Sequence, residues 1–128
     1  MCKCENIFSF DSGLGVKLFS EEFGKILTVI NIYGPYTNRA IYWNQLLNKS
    51  IFKDNWVVMG GDMNLSLGAA EIWGPKAIPD SQADFFVGAS ARSGLVDIAP
   101  DRLNVTWRNR RTGENRVAKR LDRFLEID

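Results

Sequence analysis

WVVMGGDMN, Trp56 to Asn64, is the stretch on which the reading of this chain turns. Trp56, Val57, Val58 and Met59 form an unbroken apolar run, as expected of a strand buried on both faces. Gly60 and Gly61 are expected to end it, by a tight turn or by letting a ligand come close. Asp62 and Asn64 follow at a spacing of two, so an extended backbone would point both side chains to one face. A carboxylate and an amide would then sit together at the mouth of a buried strand, where open α/β sheets place ligand chemistry. The competing reading is an ordinary turn, since Gly, Asp and Asn are all turn residues.

Outward from this stretch, KILTVINIY, Lys25 to Tyr33, is rich in β-branched residues and reads as a long central strand stopped by Gly34 and Pro35. Thr37 is placed to cap a helix running to about Ile51, with Ile41, Leu46, Leu47 and Ile51 as its apolar stripe. Lys53, Asp54 and Asn55 would form the loop into the strand at Trp56. The order strand, helix, strand is βαβ-like, though order alone does not fix whether the strands are adjacent or parallel. Upstream, Ile7 to Phe10 and Val16 to Phe19 read as two shorter strands around the turn Asp11, Ser12 and Gly13.

Downstream, Leu65 to Pro79 is irregular, and a loop of that length inside a small domain is usually functional or poorly ordered. Ser81 and Asp84 fit a weakened capping box for a second helix that buries Phe85, Phe86 and Ala89 and ends at Ser93 and Gly94. Leu95 to Ile98 reads as a short strand. Val105 to Arg108 and Leu121 to Ile127 read as the arms of a long hairpin turning at Thr112 and Gly113, with Arg110, Arg111 and Arg116 near its tip.

The chain has 128 residues, enough for one domain with one core, and 45% hydrophobic with 24% charged residues is the balance of a globular protein. No apolar run approaches the ~20 residues of a membrane span, and the first residues lack a signal-peptide core, so no membrane role and an intracellular address are expected. Cys2 and Cys4 lie too close together for a useful disulfide, and with no other Cys and no His they cannot complete a zinc site. The absence of His also removes the commonest general base.

The net charge is +1, but it is unevenly spread. Between Arg102 and Arg123 stand Arg102, Arg108, Arg110, Arg111, Arg116, Lys119, Arg120 and Arg123 against only Glu114 and Asp122, a local excess of six. Such a patch suits a polyanion such as nucleic acid, and equally a solvated Arg-rich hairpin.

Four blocks in order then carry a resemblance: NIYGPY (Asn31 to Tyr36), WVVMGGDMN, the helix followed by GLVDI (Ser81 to Ile98), and TWRNRR followed by KRLDRFL (Thr106 to Leu125). The set resembles the endonuclease/exonuclease/phosphatase superfamily, and within it the apurinic-type endonuclease domains of plant non-LTR retrotransposons. The resemblance implies an α/β fold, a two-sheet sandwich with outer helices, and Mg²⁺-dependent hydrolysis of phosphate esters, with DNA as partner and the nucleus as address. By the same resemblance Asp62 positions or deprotonates the attacking water, and Asn64 and Tyr33 hold phosphate oxygens. Asp122 would orient a histidine, and Thr106 and Trp107 would be structural, with Trp107 in the core. Arg108, Arg110, Arg111 and Arg116 would contact the nucleic-acid backbone.

These residue types suit phosphoryl hydrolysis, which needs an oriented water, donors to non-bridging oxygens and neutralisation of developing charge. The chain departs from the family pattern in two places. The metal-binding Glu and its companion Asn would lie upstream of Ile7, and the terminal Ser-Asp-His would follow RLDRFL; neither is present, and Glu5 is not in a matching context. Residues 1–128 are therefore expected to be one partial domain, lacking N-terminal strands and a C-terminal catalytic strand, with no metal ligand of its own and no activity alone. A nucleic-acid-binding module without catalysis and a phosphatase-branch enzyme are the alternatives. Nothing in the sequence signals a homo-oligomer.

Overall fold

A computed structural model describes residues 1–53 and 56–127. Six strands form the main sheet: β1 (Cys2–Phe10), β2 (Gly13–Ser20), β3 (Lys25–Tyr33), β4 (Val57–Asp62), β6 (Leu95–Asp97) and β9 (Asp122–Ile127). Their spatial order is β1-β2-β3-β4-β9-β6. A second sheet of three short strands has the order β5-β8-β7, from β5 (Ile72–Trp73), β7 (Trp107–Arg108) and β8 (Ala118–Lys119). Two helices, α1 (Arg39–Leu47) and α2 (Ala83–Arg92), complete the α/β fold.

The bounds of β3 are those expected from its β-branched run. It pairs with β4 in parallel, from Thr28 against Val57 to Tyr33 against Asp62, which settles the arrangement that element order had left open. β4 itself runs on through both glycines to Asp62 rather than stopping at Gly60. The glycines serve close approach within the sheet: a Cβ on Gly61, whose φ is +133°, would lie 2.1 Å from the Ile32 carbonyl oxygen. Asp54 and Asn55 of the expected loop lie outside the described residues.

Side-chain parity divides the main sheet into two faces. One carries Thr28, Ile30 and Ile32 of β3, Val57 and Met59 of β4, Leu125 of β9 and Leu95 of β6, all buried. Both helices cover this face. Trp43 of α1 meets Phe86 of α2 edge-on, with ring centroids 4.9 Å apart. Trp43, Leu46 and Leu47 are the buried residues of α1, whereas Ile41, placed in its apolar stripe by spacing, is 60% exposed. Phe86 and Ala89 are buried as expected. Neither helix start uses the expected cap. Asn38, in a left-handed conformation, stands at the start of α1. At α2 the Asp80 carboxylate accepts the Gln82 N–H at 2.9 Å.

The C-terminal hairpin differs from expectation. β7 pairs with β8, not with Leu121–Ile127. β9 instead enters the main sheet between β4 and β6, antiparallel to both. The fold thus carries the chain from one sheet to the other between Lys119 and Asp122. No helix among the described residues is long and apolar enough to cross a membrane.

Candidate active site and nucleic-acid interface

Three of the four residues expected at the site form one row. Tyr33 at the end of β3 is the register partner of Asp62 in β4, and Asp62 is the register partner of Asp122 in β9. Their parity is opposite to that of the buried Ile32 and Arg123, so the row lies on the face that no helix covers. Asn64 joins them by a different geometry from the one expected. Its φ is 51°, so the extended backbone does not continue. The Asn64 N–H donates to Asp62 Oδ1 at 2.8 Å, and the Asn64 side-chain amide donates to the Gly34 carbonyl. Both readings of GGDMN therefore hold in part: it is a strand end and an Asx turn at once.

The turn after β3 is fitted to this site. The Gly34 N–H donates to the Asp62 carbonyl at 2.6 Å, and a Cβ on Gly34 would fall 2.3 Å from the Met63 carbonyl oxygen. Only glycine can sit there. Tyr36, which sequence reasoning had not singled out, brings its hydroxyl to 2.8 Å from that of Tyr33. The hydrogen bond to Tyr33, with the charge of Asp62 nearby, pushes the Tyr36 phenol above its ordinary range. Arg39 braces the turn from behind. It holds Asp80 through two bonds of 2.6 and 2.8 Å and donates to the Asn64 carbonyl at 3.1 Å. Burial pushes the Asp80 carboxyl up, but the bonds from Arg39 and the Gln82 N–H outweigh it and hold that group below the usual carboxylate range.

Directly behind the row, on the core face, lies a four-charge cluster. Glu71, Asp97, Arg120 and Arg123 join the irregular segment, the end of β6, the crossing between the sheets, and β9. Arg120 Nη1 lies 2.7 Å from Glu71 and 2.9 Å from Asp97, and Arg123 reaches Glu71 at 2.7 Å and Asp97 at 2.9 Å. Burial pushes the Glu71 carboxyl up, but hydrogen bonds from Arg123, the Leu67 N–H and Arg120 hold it below its usual range. Hydrogen bonding to Asp97, against the effect of burial, raises Arg120. Arg120 and Arg123 are buried, 4% and 2% exposed, and so cannot serve the basic patch to which their charge assigned them. The charge excess of that segment offered to solvent falls from six to four.

The remaining arginines do assemble. Arg108, Arg110, Arg111 and Arg116 line one groove of about 520 Å³ with Trp73, Gly74 and Pro75. Asn109, unremarked in the sequence, shapes the loop. Its side-chain oxygen accepts the N–H groups of Val117 and Arg111 at 3.1 and 3.2 Å, and its amide donates to the Asn115 carbonyl at 2.7 Å. Trp107 is 41% exposed beside these arginines and not part of the core. Thr106 is structural as expected, its hydroxyl accepting the N–H groups of Leu121 and Asp122 at 2.8 and 3.1 Å.

The donors here do not by themselves fit a resident Mg²⁺. Asp62 and Asp122 offer two carboxylates, and no cluster of three or more Asp, Glu, Cys or His among the described residues could hold a metal ion. Such an ion held by one or two carboxylates relies on waters and substrate phosphates for the rest of its octahedron. Cys2 and Cys4 are exposed, free and far from this row in sequence and register.

Comparison with solved structures defines the fold. The chain superposes on the endonuclease domain of TRAS1, a telomere-specific non-LTR retrotransposon, with a TM-score of 0.70 at 16% identity, covering 94% of this chain and 54% of that one. It matches zebrafish (D. rerio) TDP2 complexed with a single-strand DNA product at TM-score 0.58 and 16% identity, covering 99% and 54%. The human Nocturnin catalytic domain with bound sulfate matches at 0.55 and 13%, covering 99% and 48%. The chain therefore has the endonuclease/exonuclease/phosphatase-type fold, and it spans about half the length of the solved structures it matches. No family model and no curated protein sequence matches it.

Proposed function

We propose that this chain is part of a phosphodiester-cleaving domain of the retrotransposon-endonuclease kind, carrying one half of the catalytic site and not nicking DNA alone. The observation that supports this most is the Tyr33–Asp62–Asp122 row with Asn64 bonded to Asp62, set on the uncovered face. Asp62 would hold or deprotonate the attacking water. The Tyr33 hydroxyl and the remaining amide hydrogen of Asn64 would donate to phosphate oxygens. Asp122 would orient an imidazole supplied from outside these residues. The ligands of any divalent ion, like the imidazole, would come from outside these residues.

The test is nicking of supercoiled plasmid in Mg²⁺ by the purified chain and by Asp62→Ala. Neither is expected to nick. Nicking that disappears in Asp62→Ala would show a working site without the missing groups and overturn the inactivity.

A second reading rests on the arginine groove. Whether or not catalysis survives, Arg108, Arg110, Arg111 and Arg116 suit phosphate contacts, with affinity that falls steeply with salt and depends little on sequence. The Arg110/Arg111/Arg116 triple Ala variant is expected to lose most DNA binding at low salt. Binding equal to the parent would remove this reading.

A further inference from the structure

A cavity of about 710 Å³, separate from the arginine groove, opens at the end of the main sheet away from the site row. Register sets its walls. Lys17 of β2 stands opposite Thr28 of β3, and Phe19 opposite Ile26. Thr28 shares its side with the buried Ile30, so these side chains belong to the helix-covered face, at the end where Ile26 is still 46% exposed. Tyr33 and Asp62 lie five residues further along β3 and β4 than Thr28 and Val57, roughly 16 Å at ~3.3 Å per residue, and on the other face. A ligand held here therefore leaves the site row open.

Two features distinguish this cavity from a gap between strands. The first is charge. Lys17, Lys25 and Lys53 bring three ammonium groups to its lining, which holds no carboxylate among the described residues. They come from β2, from β3 and from the single turn Ser50–Lys53, so cations of three elements converge on one space and favour an anion there. The second is Trp56. Expected to open the buried strand, it instead precedes β4 and is 39% exposed, at a φ of 68° that bulky residues rarely adopt. The Trp56 carbonyl accepts the Thr28 N–H at 2.9 Å, and its ring stands 5.6 Å from that of Phe23 with Lys25 Nζ 4.3 Å from its centre. Backbone of this kind persists only where its surroundings hold it, and it clusters at ligand clamps.

We propose that this cavity binds a nucleotide, its phosphate among the lysines and its base against Trp56, Phe19 and Ile26. The lining matches the two halves of that ligand. Lysine is a point charge that takes a phosphate without demanding one geometry. An exposed indole offers a π face on which any base can stack. Phosphate draws Lys25 off the Trp56 ring, exchanging a cation–π contact for a charge-assisted hydrogen bond and leaving that side of the indole to the base. The volume lies within the ~300–1,000 Å³ of small-ligand sites. A free nucleotide and one nucleotide of a strand present the same chemistry.

The four tryptophan indole N–H signals in a nitrogen-edited NMR spectrum of the full chain test this. Trp56→Gly identifies its signal, since glycine adopts the same φ without strain. Deoxyadenosine monophosphate is expected to move the Trp56 signal saturably, with a dissociation constant of about 1 mM or below. Lys53→Glu, verified as folded by circular dichroism, should raise that constant at least tenfold, and inorganic phosphate should bind at least tenfold more weakly than the nucleotide. Trp73 and Trp107 line the arginine-rich surfaces and report binding there separately. A deoxyadenosine hexanucleotide distinguishes the sources: tighter binding at Trp56 than the mononucleotide, kept in the Arg110/Arg111/Arg116 triple Ala variant, means a strand, and no tighter binding means the free nucleotide. A Trp56 signal unmoved by either at about 10 mM, an affinity untouched by Lys53→Glu, or phosphate binding as tightly as the nucleotide overturns the proposal.

Discussion

Asp122 and Arg123 are neighbours in sequence and opposites in circumstance. The pleat of β9 turns Arg123 inward, where Glu71 and Asp97 take up its guanidinium, and turns Asp122 outward, where its register partner is another carboxylate, Asp62. The inner cluster is balanced in charge: two acids and two bases, each within 3 Å of a partner, although Arg123 Nε has no partner of its own. The outer row is unbalanced in charge: Asp62 and Asp122 are register partners, and like charges directly opposite one another on adjacent strands are destabilising. Charge balanced internally holds a fold together, whereas charge left unbalanced on an open face is available for a ligand. Strand β9 carries both, one on each side.

If that contrast is right, the largest effect belongs to the inner cluster. Glu71→Ala leaves two buried guanidinium groups short of a counter-charge and should cost about 3–5 kcal/mol, enough to unfold a small domain. Urea unfolding measures it, and a loss under about 1 kcal/mol would mean the cluster is not the keystone its geometry suggests. Arg39→Ala comes next. It strips Asp80 of a paired, partly buried partner and frees the Asn64 carbonyl, for roughly 1.5–3 kcal/mol, with a looser turn at the site.

Acid should act on the same inner groups. Glu71 and Asp80 are held below their unfolded values, so their contribution is complete above pH ~4.3, where unfolded carboxylates are ionised, and is lost as pH falls through their folded values. The urea midpoint should therefore be level from pH 7 to about 5 and drop below about pH 4. A drop already complete at pH 5 would point to other groups.

How much of this was legible beforehand follows the same division. Local pattern gave β3 to the residue, because a nine-residue β-branched run bounded by Gly24 and Gly34 admits little else. The choice of Tyr33 and Asp122 came from the resemblance carried by NIYGPY and RLDRFL and not from local pattern, while the register sets both beside Asp62. Pairing was not legible. Ala118–Lys119 is too short to announce itself as a strand, so β9 looked like the return arm of the hairpin when it belongs to the other sheet.

Partnership of charges was hidden for a related reason. Glu71 sits in a stretch without periodicity, 49 residues from Arg120 and 52 from Arg123, so nothing local distinguishes those two arginines from the exposed ones at the hairpin tip. The alternation in RLDRFL does contain the signal: Leu121, Arg123 and Leu125 are buried, and an arginine in phase with two buried leucines should have been expected inside. Trp107 was placed in the core because a two-residue strand has no alternation to set its phase, whereas Trp43 was omitted although it lies three and four residues before Leu46 and Leu47 on the buried side of α1.

The most direct test of the contrast is the stability of Asp62→Asn, measured by urea unfolding at pH 7 and one fixed protein concentration. If the outer row is kept for chemistry and not for the fold, removing one of two opposed carboxylates relieves repulsion, and the variant should gain roughly 0.2–1 kcal/mol over the parent. A loss of 1 kcal/mol or more would contradict it. Asp62 would then be a structural anchor of the turn, through its bond to the Asn64 N–H, and the row would have no claim to be the site.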